Sequence, residues 1–331
     1  MAGAFVISLD FELHWGVRDK HGPDSPYRQN LLAARDVVTK LLTLFERYDI
    51  AATWATVGFL FAETKSELEA AKPVTRPAYR DRSLDPYIEL VGDDEASDPI
   101  HYAGSLVRRI AAAPRQELAT HTYSHFYCLE GGATGEAFEA DLRAAGEMAR
   151  LHDVTLRSIV FPRNQHRPEY ERVLLDSGIT SFRGNPPTWT WGESADESVR
   201  SPAKRAGRLT DAYLPITGHG TFGWEDVLQP NGLANVRASL PLRPWSQKLK
   251  VLEPLRRRRI ARALKHAAKR DKIFHLWWHP HNFGGHPEQN LKFLQNVLDD
   301  FAKLRDKHGI ESLTMAEVAS RVRSGSRSDS T

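Results

Sequence analysis

Short apolar segments alternate with amphipathic helical segments along most of the chain, and this alternation restricts the fold more than any other feature. Residues 4–9 are apolar and β-branched, and residues 30–48 carry apolar side chains at helical spacing. Residues 51–60 predict a second strand. A strand, a helix and a strand in this order are typical of a parallel βαβ unit. The beginning of the chain therefore predicts a parallel α/β sheet.

The same rhythm continues to the carboxyl terminus and predicts one α/β domain, with a barrel as a possible arrangement. Further strands are predicted at residues 116–120, 156–161, 179–182, 212–217, 273–278 and 310–314, and further helices at 136–151, 168–176, 254–270 and 288–308. Residues 63–99 are rich in Pro, Asp, Arg and Glu and have weak periodicity, which indicates a long excursion over the barrel mouth. We expect the domain to span residues 1–322, with 63–104 as a substrate-side insertion and a disordered tail at 323–331.

The composition is that of an ordinary globular protein and gives no indication of a nucleic-acid-binding, disulfide-bonded or membrane-spanning protein. The 331 residues are 41% hydrophobic and 26% charged, enough for a large core. Lys and Arg number 45 against 42 Asp and Glu, and this net charge of +3 does not indicate nucleic-acid binding. The single cysteine, Cys128, cannot form an intrachain disulfide, and a packing role is expected for it. No apolar stretch approaches a membrane span and no signal-peptide pattern begins the chain, so we expect a cytoplasmic protein.

Four polar residues follow predicted strands at widely separated places. They are Asp10, His121, Arg163 and His279. Because the carboxyl ends of parallel strands meet at one face of a sheet or barrel, and active sites are built there, we expect these side chains to converge.

The strongest local signal is a pair of histidines four residues apart, His121 and His125. If a helical turn begins here, both imidazoles share a face and can bind one metal ion; the alternative is two surface histidines at an accidental spacing. Asp10 and Glu12 lie on the same side of an extended segment, so one can bind metal while the other acts as general base. The alternative for this pair is a carboxylate that caps a helix or turn.

The segment 275–282 supplies a candidate general acid. Strand alternation places His275, Trp277 and His279 on one face, and an imidazolium at His279 could protonate a leaving amine. Non-catalytic positions are favoured for His275 and for His281. Trp277 is more typical of a core residue than of a sugar platform, although it could flank a sugar.

These segments resemble the motifs of the polysaccharide deacetylase family, also called carbohydrate esterase family 4 or the NodB-homology domain. The resemblance extends from Asp10 to about Met315. Residues 121–125 resemble the family's H-[ST]-x-x-H metal motif, and residues 8–12 its first motif of acids. Residues 161–163 resemble the third motif and residues 276–280 the final one. The acids are two residues apart, and the Pro-Arg-Asn-Gln order around Arg163 departs from the common pattern.

The resemblance implies a distorted (β/α) barrel and a metal-dependent hydrolase that removes an N-acetyl or other N-acyl group from an amino sugar of a glycan or glycolipid precursor. It implies one divalent metal ion, Zn²⁺ first and Co²⁺, Mn²⁺ or Ni²⁺ as alternatives. The implied ligands are Glu12, His121 and His125, and the implied catalytic residues are the base Asp10, the acid His279 and Arg163 as the partner that orients Asp10. The roles of Asp10 and Glu12 could be exchanged. The implied substrate contacts are Tyr123, Trp277 and Asn164.

Two further parts of the family pattern concern the oxyanion and the support of the catalytic histidine. A backbone N–H near Tyr123 and Ser124 would stabilise the oxyanion. The family's fourth motif, which supports the catalytic histidine, has no clear counterpart, and Asp211 or the region of Trp189 and Trp191 would replace it.

The largest basic run covers residues 256–270, from Arg256 to Arg270, beside an apolar stripe of Leu252, Leu255, Ile260 and Leu264. It predicts either contact with a bilayer or an anionic carrier, or simply a solvated helix face. Two alternatives to the deacetylase remain at this point. One is hydrolysis of another nonpeptide C–N bond, such as a formamide or ureide, and the other is a non-catalytic glycan-binding or scaffold protein of the same fold.

Overall fold

The computed structural model describes residues 1–191 and 201–328, with side chains described up to residue 325. Within these ranges the core is a nine-stranded sheet in the order β6-β5-β4-β3-β2-β1-β8-β7, with β9 also paired to β1. All the strand pairs are parallel. The strands are β1 Ala4–Phe11, β2 Ala52–Thr56, β3 Gln116–Thr120, β4 Ser158–Ile159, β5 Ser181–Phe182, β6 Ala234–Asn235, β7 Leu240–Pro241, β8 Ile273–Trp278 and β9 Glu311–Leu313.

Helices connect the strands and cover the sheet. They are α1 Arg28–Tyr48, α2 Lys65–Ala70, α3 Gly104–Ala112, α4 Gly135–Leu151, α5 Glu171–Asp176, α6 Pro202–Asp211, α7 Glu253–Arg270, α8 Pro287–His308 and α9 Met315–Ser328. In α1 the apolar residues at helical spacing, among them Leu41 and Phe45, are buried as their pattern predicts. The helix ends at Asp49, whose left-handed conformation (φ 54°) turns the chain towards β2.

Strand β1 is the centre of the sheet. It pairs with β8 on one side and with β2 and β9 on the other, and all eight of its residues are buried. Phe5 packs against Phe274 of β8 and Phe301 of α8, with ring centroids 5.9 and 5.2 Å apart. A strand buried on both faces reads as a continuous apolar run, which explains residues 4–9. Asp10 and Glu12 are thereby held at the middle of the carboxyl-terminal edge.

The two end strands of the sheet, β6 and β7, are joined by the short segment 236–239. The Ala238 N–H donates to the Gly184 carbonyl beyond β5, and the Ser239 N–H donates to the His275 carbonyl of β8. This segment therefore bridges the two ends and curls the sheet into a half-barrel. The predicted single α/β domain with a distorted barrel is confirmed.

Three elements differ from the sequence prediction. Residues 212–217 form turns rather than a strand, because helix α6 ends at Asp211 and the Asp211 carboxylate accepts from the Thr217 N–H. Helix α6, capped by Ser201 with Pro202 in its first turn, begins within a region predicted to be irregular. The last helix continues to Ser328, past the predicted domain boundary at 322. The irregular region also included residues 192–200, which lie outside the described residues.

The insertion at residues 63–104 packs on the segments that follow β1 and β3. The Trp15 indole N–H donates to the His101 carbonyl at 2.9 Å, and Arg18 donates to the Ser83 carbonyl at 2.8 Å. Tyr79 accepts from the Tyr127 N–H at 2.8 Å. The insertion therefore lies beside the edge that carries Asp10 and Glu12.

Some basic side chains of helix α7 are buried and others are exposed. Arg256 and Arg259 are buried, whereas Arg258, Arg262 and Lys265 are exposed. The residues of the predicted apolar stripe also differ in burial. Ile260 and Leu264 are buried in the core, whereas Leu255 is partly exposed. Only part of this helix is thus free to meet an anionic surface. In the described part of the chain, no helix combines the length and apolar character needed to span a bilayer.

We predict that Phe5→Ala lowers the free energy of unfolding by about 3–5 kcal/mol, because it removes a buried ring between two aromatic neighbours. Urea denaturation followed by circular dichroism measures the change. Val74→Ala is the matched control, since Val74 is 98% exposed and its truncation should shift stability by less than about 0.5 kcal/mol. Equal effects for the two variants would contradict the central position of β1.

Candidate metal centre and active site

Glu12 and the two histidines predicted as metal ligands meet at the carboxyl edge of the sheet. Glu12 Oε2 lies 3.3 Å from His121 Nε2 and 3.1 Å from His125 Nε2, and all three side chains are buried. Strand β3 ends at Thr120, so His121 leaves the sheet where Glu12 leaves β1. The expected convergence of these strand ends is therefore observed.

A hydrogen bond to the backbone fixes the tautomer of His121. His121 Nδ1 lies 2.7 Å from the Val160 carbonyl, which can only accept, so Nδ1 carries the proton. In the neutral ring Nε2 is then bare and points at the Glu12 carboxylate. Burial lowers the pKa of His125 to about 4, so this ring is neutral at pH 7. Two imidazoles beside a buried carboxylate fit a divalent cation, and zinc in particular.

Electrostatics favour the ionised form of Glu12. Burial opposes ionisation, but the surrounding imidazoles, His279 first and then His121, His125 and His281, outweigh it and hold the pKa of Glu12 well below its usual value. A carboxylate kept ionised in the interior is a group that a metal ion would bind.

The chain around the two histidines is not a helical turn. Thr122 and His125 have left-handed backbone conformations, with φ of 64° and 58°. The buried carboxylate of Asp141, from helix α4, accepts from the Tyr123 N–H at 2.7 Å and the Ser124 N–H at 3.1 Å. Asp141 was not among the predicted site residues, although an acid on the buried face of a helix is a signal for such a role.

The expected oxyanion donors are therefore engaged elsewhere. Both backbone N–H groups of Tyr123 and Ser124 already donate to Asp141, so they do not point to free space. Burial raises the pKa of Asp141 to about 7 against the effect of these hydrogen bonds. Asp141 positions the loop that carries His121 and His125.

Asp10 forms a buried, bidentate ion pair with Arg183. Arg183 Nη1 donates to Oδ1 at 2.6 Å and Nη2 donates to Oδ2 at 2.8 Å. Burial raises the pKa of Asp10, but the charges of Arg183 and His279 outweigh this effect, so the carboxyl pKa is below its usual value. An ionised and oriented Asp10 is the state that a general base requires.

The prediction that Arg163 is the partner of Asp10 is wrong. Arg163 donates to Asp19 at 2.7 Å and Glu130 at 3.2 Å, and its guanidinium stacks over the Tyr127 ring. Its backbone is left-handed (φ 55°), a conformation that the residue pattern does not predict. Arg183, which follows β5 directly, takes this position. The rule that polar residues follow strand ends could have found it, because residues 179–182 were predicted as a strand.

A network of neutral groups supports Arg183. Its guanidinium donates to Ser8 Oγ and Asn164 Oδ1, each at 2.9 Å, and stacks on the Trp277 ring. Ser8 in turn contacts His275 Nε2 at 2.8 Å, and burial lowers the pKa of His275 to about 3, so this ring is neutral. His275 is buried and lies behind Arg183, in agreement with the non-catalytic position favoured for it. Asn164 and Trp277, predicted as substrate contacts, both contact Arg183, and their contact with a substrate stays a prediction.

His279 stands at the rim of the site. Its Nε2 lies 3.5 Å from Asp10 Oδ2 and 3.4 Å from Glu12 Oε1, and its side chain is 27% exposed. Asn282 Nδ2 lies 3.3 Å from His279 Nδ1 and is the neighbour that orients the ring. Asp211 does not support His279, because it is bound to Arg259 and the Thr217 N–H.

The aromatic replacements for the fourth motif are only partly near His279. The Trp191 ring meets Trp277 at 6.0 Å, and the Trp277 ring lies 5.7 Å from His279. Trp189 is 58% exposed and packs beside Gly207 of α6. Trp191 thus reaches the site through Trp277.

His281 is a further member of the site for which a non-catalytic position was favoured. Its Nε2 lies 3.1 Å from Glu12 Oε1 and its Nδ1 lies 2.8 Å from the Tyr27 hydroxyl. The Tyr27 hydroxyl can donate to Asn282 Oδ1 at 3.1 Å while accepting from His281 Nδ1, which leaves His281 Nε2 bare towards Glu12. His281 is therefore a candidate additional ligand.

Two other side chains lie too deep for direct chemistry. The Tyr123 side chain is fully buried, donates to the Leu68 carbonyl and packs against Phe59, so it does not serve as a substrate contact in this arrangement. Cys128 is buried, and burial raises its thiol pKa well above the usual value, which agrees with a packing role.

No protein-family profile matches the chain, and no curated protein matches its sequence. The chain resembles known proteins in its structure. A candidate polysaccharide deacetylase from Mycobacterium smegmatis superposes with a TM-score of 0.58 at 12% identity, and the match covers 98% of this chain and 92% of that one. The chain has the polysaccharide deacetylase fold.

Two carbohydrate-active enzymes of other types share the fold. A GH57-type branching enzyme from Pyrococcus horikoshii matches with a TM-score of 0.53 at 15% identity, over 96% of this chain and 70% of that one. A 4-α-glucanotransferase from Thermococcus litoralis matches at 0.51 and 12% identity, over 97% of this chain but 40% of its own. The fold alone therefore does not determine the reaction, which must be argued from the side chains.

We predict that Arg183→Ala destabilises the protein by about 3–5 kcal/mol, because the buried Asp10 carboxylate loses its bidentate partner. Arg163→Ala is the matched control and should cost much less, since the Arg163 side chain is 22% exposed and its ion pairs are partly solvated. Urea denaturation compares the two. A larger loss for Arg163→Ala would contradict the assignment of Arg183.

We also predict that Asp141→Ala lowers stability by about 2–5 kcal/mol, because it leaves two buried backbone N–H groups without an acceptor. Zinc affinity should fall about 10–100-fold as the histidine loop loses its support. Isothermal titration calorimetry measures the affinity. Asp141→Asn retains one acceptor oxygen and should have a smaller effect; unchanged zinc binding in Asp141→Ala would contradict the positioning role.

Proposed function

We propose that the protein is a metal-dependent hydrolase that removes an N-acyl group, with N-acetyl as the first candidate, from an amino sugar. The observation that carries the proposal is the convergence of Glu12 with the imidazoles of His121 and His125, beside Asp10 and the accessible His279. Glu12, His121 and His125 would hold a divalent ion, with zinc as the first candidate. The fold shared with a candidate polysaccharide deacetylase supports the sugar substrate.

The side chains divide into distinct roles. When bound, the metal ion would lower the pKa of a water molecule and polarise the acyl oxygen. Asp10, kept ionised by Arg183, accepts the proton of the attacking water. His279 faces both carboxylates through Nε2 and is exposed enough to reach a substrate, so it donates the proton to the leaving amine. Arg183 touches Asp10 rather than free space and is a positioning residue.

Glycoside transfer, the activity type of two structural relatives, fits these side chains less well. A glycosidase uses one protonated and one ionised carboxyl group flanking the bond to be broken. Here the carboxyl pKa values of both Asp10 and Glu12 are lowered, and Glu12 is surrounded by imidazoles. The paired acids therefore suit metal binding and base catalysis better than glycosidic cleavage.

Cytoplasmic location and peripheral contact with a membrane or anionic carrier stay predictions. The exposed residues Arg258, Arg262 and Lys265 of α7 could support such contact, and the burial of Ile260 and Leu264 argues against an inserted apolar stripe. A glycolipid or nucleotide-linked precursor would be an appropriate substrate at that location.

We predict that the zinc-loaded protein releases acetate from at least one member of a panel of free, nucleotide-linked and lipid-linked acetamido sugars. Asp10→Asn should lower kcat by about 10²–10⁴-fold, because it removes the base. Asp36→Asn is the control, since Asp36 is exposed on α1 and should leave the rate unchanged. Mass spectrometry of the sugar measures the loss of the acyl group.

The panel also separates the alternatives. Formamido sugars and ureides belong in it, and turnover of these alone would replace the deacetylase by another C–N hydrolase. Sugar binding without metal or turnover would indicate a non-catalytic protein and contradict the proposal. Full activity in Asp10→Asn would contradict the assigned base.

A further inference from the structure

A second cluster of metal-binding side chains lies outside the site described above. His14 follows Glu12 by two residues, whereas His101 and Glu89 belong to the insertion. His14 Nδ1 lies 2.8 Å from His101 Nε2, and Glu89 Oε1 lies 3.7 Å from each of these nitrogens. Both imidazoles are buried, and Glu89 is 18% exposed.

The outer nitrogens of both rings are committed as donors. His14 Nε2 lies 2.9 Å from the His21 carbonyl, and His101 Nδ1 lies 2.7 Å from Asp98 Oδ2. A carbonyl and an ionised carboxylate can only accept, so each outer nitrogen carries a proton. In neutral rings the inner nitrogens, His14 Nδ1 and His101 Nε2, are then bare lone pairs aimed at each other. A cation must lie between them: either one shared proton or a metal ion.

The cluster also brings a carboxylate to the two inner nitrogens. Glu89 Oε1 lies 3.7 Å from both His14 Nδ1 and His101 Nε2, and the three ligand atoms lie close enough together to share one ion. Two imidazoles and one carboxylate around a single point are a ligand set that zinc takes in proteins.

The spacing also fits. Zinc bonds of about 2.1 Å to nitrogen and oxygen in tetrahedral geometry place ligand atoms about 3.4 Å apart. The observed separations of 2.8 Å and 3.7 Å bracket that value, so small side-chain rotations would complete the geometry. Asp98 stands behind His101 as the carboxylate that orients a metal-bound imidazole, and it is itself fixed by the Gly92 N–H at 2.9 Å.

We infer that His14, His101 and Glu89 form a second divalent-metal site, with zinc as the ion it fits best. The site ties the insertion to the segment that leaves β1, two residues after Glu12. Trp15 adds a hydrogen bond to the His101 carbonyl and stacks edge-on against its ring. A metal bound here closes the insertion on the edge of the sheet and holds it beside the active site.

Metal stoichiometry of the full-length protein tests this inference. After zinc loading and dialysis, inductively coupled plasma mass spectrometry should find two zinc ions per wild-type chain. Glu89→Gln should retain one, because the amide loses the ligand charge while keeping its size. His101→Gln should also retain one. Asp36→Asn, on the exposed face of α1, is the control and should retain two.

His121→Ala distinguishes this site from the one in the proposed function. One zinc in His121→Ala and none in the His121→Ala/Glu89→Gln double variant would support two separate sites. A wild-type chain that binds one zinc and loses it in Glu89→Gln but not in His121→Ala would support the second site while contradicting the proposed catalytic centre. Wild-type stoichiometry in folded Glu89→Gln, or one wild-type zinc that depends only on His121, would overturn the inference.

A structural readout complements the count. Zinc should raise the thermal denaturation midpoint of His121→Ala, because binding at the second site stabilises the folded chain. The same shift should be absent in the double variant. Equal shifts in the two proteins would contradict binding by Glu89 and its neighbours.

Discussion

The ionised carboxylate of Glu12, held in the protein interior among imidazoles, is the interaction on which the site depends. An isolated charge at this depth would be very costly, and burial alone would protonate the acid. His121, His125 and His281 surround its two oxygens within 3.3 Å. Imidazoles and a carboxylate gathered around one point form a ligand set that a divalent cation would complete. The strands that meet here bring the ligands together from distant parts of the chain.

The buried charge of Asp10 is compensated by a different kind of group. Its carboxylate is buried two residues before Glu12 but takes its compensating charge from Arg183, which leaves the histidines to Glu12. Their different partners therefore suit Glu12 to metal binding and Asp10 to base catalysis. His279 lies within 3.5 Å of both and is the accessible group that joins them.

The sequence predicted the strand ends well and the loops poorly. Apolar runs and their following polar residues located Asp10, Glu12, His121 and His279 because side-chain period and strand polarity are local properties. Arg163 was predicted in the place of Arg183 because its partners Asp19 and Glu130 are brought to it by tertiary packing, which a residue pattern does not reveal. The predicted oxyanion donors failed for a related reason, since Asp141 reaches them from a helix distant in sequence. Strands β6 and β7, with two residues each, are too short to give a periodic signal.

The cluster of His14, Glu89 and His101 was beyond sequence reasoning for the same physical reason. Two of its members lie in an insertion without clear periodicity, and tertiary packing alone brings them to His14. Polar groups in such an insertion become interpretable only when their hydrogen-bond directions are known. In this cluster, and at His121, an outer nitrogen that must donate leaves the inner nitrogen bare.

The central claim is that Glu12, His121 and His125 bind a divalent metal ion. Anomalous diffraction at the zinc absorption edge, from crystals of the zinc-loaded protein, tests it most directly. The account predicts an anomalous peak within bonding distance, about 2.0–2.3 Å, of Glu12 and of both histidines. A fully loaded crystal with peaks elsewhere and none at this position would contradict it.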